Sequence, residues 1–491
     1  MASAPSDETA AELGGLSPKE TSLPEGFVVA LDSSVRFHAE GEVASGGTPW
    51  RMLKFSPPAA PFLSALRAAG PVGVAVAGST ARSLARVLLD RGLAHPVVAP
   101  RPAGGVDVVV PFRGSGEQLT ECLQALAGLD VIVVDDCSPD PEGVAAAARS
   151  QGARVVRHAA NRGPAAARNT GLGLTGADLV AFVDGDCRPR PGWLELMVAH
   201  FDDPSLAAVA PRVLPEVAGG ALLGRYETAH SALDMGRRPE LVQPGGRLSF
   251  VPTAALVVRR RAMRQCSFAE ELRFGEDVDL VWRLRDRGWL VRYEPAATVE
   301  HSPRVRPYQW LARRHAYGTS AGALARRHPG HVAPVRVSAW SLAALALVAA
   351  KRPASAAATV WLAAGLLHRR LRRLGAEPSL ALATVAKGVL ADAAGIGQAL
   401  RREWWPLGAF ALGRARRSPP ARLAVAAMLA PLWLEWRRQR PRVSPAAYVG
   451  LRLVDDAAYG TGVMAGAWRA QTWLPLIPVV RLAKGRKRPR H

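Results

Sequence analysis

The stretch Leu179-Val180-Ala181-Phe182-Val183-Asp184-Gly185-Asp186 runs from five apolar residues into two carboxylates. An earlier stretch has the same form: Val131-Ile132-Val133-Val134-Asp135-Asp136-Cys137-Ser138. Each apolar run predicts a buried parallel strand whose carboxylates lie at its C-terminal end, the edge where open α/β sheets bind ligands. Two carboxylates spaced two residues apart at that edge suit a divalent metal that carries a diphosphate. Together the stretches predict an α/β enzyme that uses a nucleotide-activated donor.

Residues 106–301 alternate between strand-like and helix-like patterns. The predicted strands are 106–112, 131–134, 154–157, 179–183 and 206–213. The predicted helices are 117–126, 141–150, 164–173 and 191–201. This alternation predicts a Rossmann-like, doubly wound and mostly parallel sheet.

The N-terminal part divides into two segments. Residues 1–20 are polar and acidic, and we expect them to be disordered, with no signal peptide. Residues 21–99 predict a small α+β module with strands at 27–31, 34–37 and 53–55 and helices at 59–69 and 79–91. Through residues 46–51 and 84–96 it resembles the winged-helix, peptide-recognition modules of the PqqD-like family. The alternative is an accessory domain without a peptide partner.

Charge is distributed unevenly along the 491 residues. From Ser302 to the end there are 32 lysines and arginines against 6 acidic residues, whereas residues 1–301 carry 31 against 35. Apolar runs occur at 338–350, 354–367, 380–399, 404–412 and 423–436, with arginine pairs and tryptophans beside them. This pattern favours a basic helical region, 332–491, at the cytoplasmic face of a membrane. A soluble helical bundle is the alternative.

The four cysteines show neither a Cys-x-x-Cys spacing nor a zinc pattern. They fit reduced thiols in a cytosolic compartment. We therefore expect the catalytic domain to lie in the cytoplasm.

Candidate site residues follow the strand ends and one helix start. Asp184 and Asp186 are the candidate metal ligands, and His301 is a third candidate through its imidazole. Asp136 can accept a hydrogen bond from a nucleobase or ribose, although an aspartate there also caps helices. Asp277, in the first turn of a predicted helix, is the candidate general base for an acceptor hydroxyl, although carboxylates favour that position electrostatically in any case.

Two arginines and one glutamate complete the candidate set. Arg162 and Arg168 belong to a stretch of small residues that opens a helix, so they can approach phosphate. Glu276 precedes Asp277 and is a second candidate catalytic carboxylate. A surface helix start explains Arg162 equally well.

These motifs in this order resemble the inverting, family 2 glycosyltransferases of the GT-A fold over residues 106–315. The resemblance is carried by Val109-Val110-Pro111-Phe112, Val134-Asp135-Asp136-Cys137-Ser138, Asn161-Arg162-Gly163, Ala167-Arg168-Asn169, Phe182-Val183-Asp184-Gly185-Asp186 and Gly275-Glu276-Asp277-Val278-Asp279. It implies a base at Asp277, with Glu276 beside it, and Mg²⁺ or Mn²⁺ on Asp184, Asp186 and His301. It implies a nucleotide-sugar donor on Pro111, Asp135, Asp136, Arg162, Arg168 and Asp184.

More narrowly, the chain is similar to the glycosyltransferases of the mycofactocin pathway through residues 313–321 and 454–463. That resemblance implies transfer of β-linked glucose from UDP-glucose to a peptide-derived redox cofactor. The chain lacks the Gln-x-x-Arg-Trp motif of polysaccharide synthases, which favours a short oligosaccharide. The alternatives are a lipid-linked sugar transferase with a polyprenyl phosphate acceptor, and a non-catalytic membrane or nucleic-acid binding protein. We expect no nucleic-acid partner, because such a protein has no use for the carboxylates of 131–301.

Overall fold

The computed structural model describes residues 22–38, 41–216, 220–302 and 306–482. The segment 1–20, for which disorder was expected, lies outside these residues. The chain forms an N-terminal α+β unit, a central sheet covered by helices and a C-terminal set of helices.

The N-terminal unit contains two small antiparallel sheets and two helices. Its elements are β1 (Val28–Leu31), β2 (Arg36–His38), β3 (Val43–Gly46), β4 (Arg51–Lys54), α1 (Ala60–Ala69), β5 (Val74–Ala75), α2 (Gly78–Asp90) and β6 (Ala94–Pro96). Strand β1 lies between β5 and β6, and β3 lies between β2 and β4. The apolar faces of both helices, including Leu63, Leu66 and Leu88, form the core of the unit. The likeness of this unit to the PqqD-like family stays a prediction.

A buried ion pair joins the N-terminal unit to the central sheet. The Arg86 guanidinium donates to both carboxylate oxygens of Asp203, at 2.7 and 2.8 Å, and to the Ser205 hydroxyl at 3.1 Å. Gln243 Nε2 donates to the carbonyl of Thr48 at 2.9 Å. Arg86 Nε also lies 3.1 Å from Asp90 Oδ1, so the buried guanidinium compensates the buried Asp203 and is itself compensated by two carboxylates.

The central domain begins with four parallel strands. Its elements are β7 (Val106–Phe112), α3 (Gly116–Gln124), β8 (Asp130–Asp135), α4 (Pro141–Ser150), β9 (Arg154–Arg157), α5 (Pro164–Leu174), β10 (Leu179–Val183), β11 (Cys187–Pro189), α6 (Trp193–Ala199), β12 (Leu206–Pro215), α7 (Leu222–Ala229), β13 (Glu240–Leu241), β14 (Ala255–Arg259), α8 (Arg260–Met263), α9 (Glu276–Asp286) and β15 (Leu290–His301). Apolar clusters cover both faces of the sheet, as a doubly wound sheet requires. This confirms the predicted α/β class.

The sheet is mixed beyond β10, which differs from the mostly parallel sheet expected. The strand order is β11-β15-β12-β14-β10-β7-β8-β9, and β14 runs antiparallel to both β10 and β12. Residues 242–254, which lead into β14, contain no helix. Antiparallel neighbours can be joined without a crossover helix that covers the sheet, so β14 can enter its place between β10 and β12 directly from this loop.

The C-terminal region is helical, as predicted. Its elements are α10 (Pro307–Arg327), β16 (Arg336–Ser338), α11 (Ala339–Ala349), α12 (Pro353–Leu371), α13 (Pro378–Arg401), α14 (Trp405–Arg414), α15 (Pro419–Gln439), α16 (Pro445–Arg469) and β17 (Val479–Arg481). Helix α10 continues past residue 315, the predicted end of the catalytic domain. Among the described residues, one helix, α13, is long and apolar enough to cross a membrane by length and composition.

Helices α10 and α16 form a pair whose backbones touch, which we call the glycine-lined pair. A Cβ added to Gly318 would lie 2.1 Å from the carbonyl oxygen of Tyr459, and one added to Gly462 would lie 2.0 Å from that of His315. His315 Nδ1 also lies 3.0 Å from Thr461 Oγ1. The two segments that carry the narrower family resemblance, 313–321 and 454–463, are therefore in direct contact.

Candidate active site

A cavity of about 1190 Å³ opens at the C-terminal ends of β7, β8 and β10. The strand ends contribute Phe112, Asp136 and Asp184 to its lining. Helices α10 and α16 and the turn after α13 close the opposite side. Ligand pockets commonly measure about 300–1,000 Å³, so this cavity has room for more than one small ligand.

Arg168 links the strand-end carboxylate to the helix that carries the candidate base. Its guanidinium donates to Asp184 Oδ1 at 2.7 Å and to Glu276 Oε1 at 3.0 Å. Burial raises the pKa of Asp184, and the positive charge of Arg168 partly opposes that rise. Helix α5 brings Arg168 this close because its small residues pack tightly on the sheet: a Cβ on Gly171 would lie 2.2 Å from Val109 Cγ1.

Asp277 lies in the first turn of α9 and lines the cavity. The helix follows Gly275, whose φ of 83° is left-handed and favours glycine. Burial, followed by the negative charge of Glu276, raises the pKa of Asp277 to about 7. A carboxylate with such a pKa can accept a proton near neutral pH. Glu276 is held by Arg168, so its placement suits positioning the arginine.

Asp186 and His301 meet across the edge of the sheet. The register of β11 and β15 pairs Cys187 with His301, and this brings Asp186 Oδ2 to 3.4 Å from His301 Nε2. Among the described residues, no group of three histidine, cysteine or acidic side chains is close enough to hold a metal on its own. One carboxylate and one imidazole beside the cavity fit an ion whose other ligands are substrate phosphates and water.

The candidate donor residues separate into two sets. Asp136 lines the cavity, and its oxygens accept from the backbone N–H groups of Arg162 and Gly163 at 2.8 and 2.7 Å. Pro111 also lines the cavity. Asp135 does not: it accepts from the backbone N–H of Ser138 and pairs with Arg157. The Arg162 side chain pairs with Glu270, also outside the cavity.

Several lining residues come from helices far along the chain, and sequence reasoning did not select them. They are Arg313, Tyr317, Arg402, Glu403 and Tyr459. The only signal was indirect, since three of the five fall within the segments that carry the narrower resemblance. Their proximity to the strand ends depends on tertiary packing.

Comparisons with known proteins show the family of the chain. The model of glycosyl transferase family 2 matches residues 107–266, which include the strand-end carboxylates. The chain is 39% identical over 479 residues to the pre-mycofactocin glycosyltransferase of Mycobacterium tuberculosis, covering 94% of this chain and 99% of that protein.

The chain belongs to the pre-mycofactocin glycosyltransferase family. This confirms the resemblance to mycofactocin-pathway enzymes and the class of family 2 glycosyltransferase. The GT-A fold class is confirmed with it.

Two further matches cover only part of the chain. The succinoglycan biosynthesis protein ExoO of Rhizobium meliloti is 30% identical over 212 residues, 39% of this chain and 59% of that protein. Among solved structures, the mannosyltransferase PcManGT of Pyrobaculum calidifontis, in complex with GDP-Man and Mn²⁺, overlaps with a TM-score of 0.37. It is 20% identical, and the overlap covers 68% of this chain and 90% of that structure.

Proposed function

We propose that this family member is an inverting glycosyltransferase that moves glucose from UDP-glucose onto a peptide-derived redox cofactor precursor, building a short β-linked oligosaccharide. The observation that carries the proposal is Asp277, a carboxylate with a raised pKa in the same cavity as Asp184 and Asp186. The 39% identity to the pre-mycofactocin glycosyltransferase supports the choice of acceptor.

The donor diphosphate binds at the strand ends in this proposal. Asp186 and His301, with Asp184 nearby, would hold Mg²⁺ or Mn²⁺, which would supply positive charge to stabilise the departing diphosphate. Asp136 holds the loop at Arg162 and Gly163 in place and borders the nucleoside. Arg168 fixes Asp184 in position from its buried side.

Asp277 accepts the proton of the acceptor hydroxyl as its oxygen attacks the anomeric carbon of glucose. The new C–O bond forms on the face opposite the bond to UDP, whose electron pair leaves with the diphosphate. An α-linked donor therefore gives a β-linked product. Proton transfer to a positioned base typically contributes a factor of about 10²–10⁴ in rate.

Product identification tests this function. The protein is incubated with a small phenolic acceptor and a panel of UDP-sugars and GDP-mannose, and the masses of the products are measured by mass spectrometry. We expect added units of one hexose mass with UDP-glucose and release of one UDP per unit. Transfer from a different donor would refute the glucose assignment, and absence of any transfer would refute the enzyme proposal.

The surface of the C-terminal helices supports a membrane location. Helix α13 is apolar, yet only 11% of its most apolar window is buried. Trp361, Phe410 and Trp433 are exposed on neighbouring helices, and Arg369, Arg370, Arg414, Arg416 and Arg437 lie near them in sequence. Exposed tryptophans beside arginines are typical of a membrane interface. We propose that this region lies on the cytoplasmic face of the membrane.

Vesicle sedimentation tests the membrane proposal. We expect the protein to sediment with vesicles that contain anionic lipid and to be released as salt is raised, because surface charge attraction is screened. A protein that stays in the supernatant at low salt would contradict it. The exposed apolar surface also favours the second candidate function, transfer to a polyprenyl phosphate, which the same mass spectrometry tests with that lipid as acceptor.

A further inference from the structure

The cavity has a second end, on the side opposite the strand-end carboxylates. It lies between the glycine-lined pair and the turn after α13, and its lining includes Arg313, Tyr317, Arg402, Glu403 and Tyr459. All of these lie outside residues 107–266, the part that matches the family 2 model. The wall of the cavity at this end is therefore formed by residues outside the part of the chain that matches family 2.

This second end is adjacent to the candidate base. A Cβ added to Gly275, which begins α9, would lie 2.9 Å from the Cβ of Ser320 on α10. The ring of Phe274 contacts Tyr317 edge to face, with centroids 6.0 Å apart. Asp277 and Phe274 line the same cavity as Tyr317, so the glycine-lined pair and the candidate base border one continuous space.

The chemistry of the wall suits ring hydroxyls. The Arg402 guanidinium stacks on Tyr459 at 4.0 Å, and that of Arg313 stacks on Tyr317 at 5.5 Å. Arg402 Nε is buried without a hydrogen-bond partner among the described residues, and it lies 3.8 Å from Glu403 Oε1. Planar stacked faces accept an aromatic or sugar ring, and a guanidinium with a nearby carboxylate can bind hydroxyl groups as donor and acceptor.

Most of the arginines in the wall are already paired with carboxylates. Its lining carboxylates Asp455 and Asp456 are already paired, with Arg314 at 2.7 Å and Arg401 at 2.8 Å respectively. Glu403 adds a further negative charge beside Arg402. Among the described residues, Arg314, Arg402 and Arg452 each lie within 4 Å of a carboxylate, and Arg313 alone of the lining arginines at this wall forms no ion pair. The wall therefore lacks the cluster of free arginines that favours a bound phosphate.

We infer that this second end is the acceptor subsite, and that Arg402, Glu403 and Tyr459 bind the ring hydroxyls of a neutral phenolic or sugar acceptor. The inference rests on the proposed glycosyl transfer and assigns its acceptor to a wall built by the C-terminal helices. An acceptor that carries no sugar yet presents a phenol, and an acceptor that already carries glucose presents a sugar. Both are rings that bear hydroxyl groups, so the same side chains can bind either.

Acceptor kinetics of Glu403→Gln and Tyr459→Phe test the subsite. The probes are N-acetyl-tyrosinamide and its O-β-glucoside, which separate the phenolic from the sugar acceptor. Glu377→Gln is the matched control, because Glu377 precedes α13 at its other end, is exposed and does not line the cavity. The affinity for UDP is measured for every variant by calorimetry.

We expect Glu403→Gln to raise the acceptor KM about tenfold or more, as for loss of a hydrogen bond to a charged group, with UDP affinity unchanged. We expect Tyr459→Phe to raise the acceptor KM by a smaller factor and Glu377→Gln to leave the acceptor KM unchanged. If KM increases for only one of the two probes, the subsite binds that kind of acceptor, phenolic or sugar. An unchanged KM in both variants, or a parallel loss of UDP affinity, would overturn the subsite. Failure of the unaltered protein to bind UDP would instead refute the glycosyl transfer on which it rests.

Discussion

Asp277 lines the same cavity as Asp184 and Asp186, and its pKa is raised to about 7. Replacing it by asparagine keeps the shape of the side chain and removes the proton acceptor. We expect Asp277→Asn to lower kcat by about 10³-fold and to leave the UDP affinity intact. Turnover and calorimetry measure the two effects, with Asp286→Asn at the opposite end of α9 as control. Near-normal turnover would remove Asp277 from the role of base.

The same pKa predicts two pH dependences. In the unaltered enzyme kcat/KM rises with pH through about 7 and then levels, because the deprotonated carboxylate is the active form. Between pH 4 and 7 the folded chain holds a proton on Asp277 that the unfolded chain releases, so the free energy of unfolding falls as pH rises. Asp277→Asn therefore raises Tm more at pH 8 than at pH 5. An equal shift at both pH values would contradict the raised pKa.

Asp186 tests whether a metal ion assists donor binding. If Asp186 and His301 hold the ion, Mn²⁺ strengthens UDP binding in the unaltered protein and has little effect on Asp186→Ala. We expect this variant, or addition of a chelator, to reduce transfer by at least about 10²-fold. Asp202→Ala serves as control, because Asp202 pairs with Arg101 away from the cavity. Full transfer in the presence of chelator would exclude a metal-dependent reaction.

The sequence predicted strand-end residues better than loop residues. A strand fixes where its last residues lie, so Asp136, Asp184 and Asp186 were placed at the correct edge of the sheet. A loop has no such constraint, and the Arg162 side chain turns to Glu270 outside the cavity. Arg402 and Glu403 could not be selected, because only the packing of helices distant in sequence brings them to Asp277.

At the scale of elements, helices α10 and α16 contact each other through glycine. A Cβ on Gly318 meets a carbonyl oxygen at 2.1 Å, and both backbones are helical and cannot easily move. We expect Gly318→Ala to lower the free energy of unfolding by about 1–3 kcal/mol, as for an overpacked core, and to reduce transfer. Thermal unfolding monitored by circular dichroism measures the first effect.

Gly450→Ala is the matched control on α16. A Cβ there meets nothing within 4 Å, so alanine adds helix propensity and raises the stability by about 0.5–1 kcal/mol. If both variants shifted Tm in the same direction, the close approach at Gly318 would be wrong.

Elements with a strong apolar pattern were predictable, and elements packed through small residues were not. The strands Val106–Phe112 and Leu179–Val183 have the predicted bounds because each is a short, mostly buried apolar run. Arg154–Arg157 also has its predicted bounds, although its two valines are only partly buried. Helices α10 and α16 mix arginine, glycine and aromatic residues, so no apolar stripe marks them. The direction of β14 was likewise invisible, since periodicity carries no information about strand partners.

At the scale of the whole molecule, Arg86 connects the N-terminal unit to the catalytic domain. Replacing Arg86 by methionine leaves the buried Asp203 without the cation that hydrogen-bonds it. We expect this to lower the free energy of unfolding by about 3–5 kcal/mol at pH 7. Arg82→Met on the same helix is the control: Arg82 lies 3.8 Å from the exposed Glu25, and such pairs contribute at most about 1 kcal/mol. Denaturant unfolding measures both.

The pH dependence of Arg86→Met is a further check. Arg86 lowers the pKa of Asp203, although burial opposes it, so the pair stabilises the folded chain above the ordinary carboxyl range and loses this effect in acid. The difference in free energy of unfolding between the unaltered protein and Arg86→Met therefore becomes smaller below about pH 4. A difference that is constant with pH would show that lost packing dominates.

The spacing between the two helices of the glycine-lined pair is set by main-chain atoms in contact. It therefore does not depend on the side chains that point away from the contact between the helices. Those side chains can be exchanged without widening the groove between the helices. Redesign of acceptor preference in this enzyme should therefore alter the inward-facing tyrosines and arginines and leave every glycine at the contact between the helices intact.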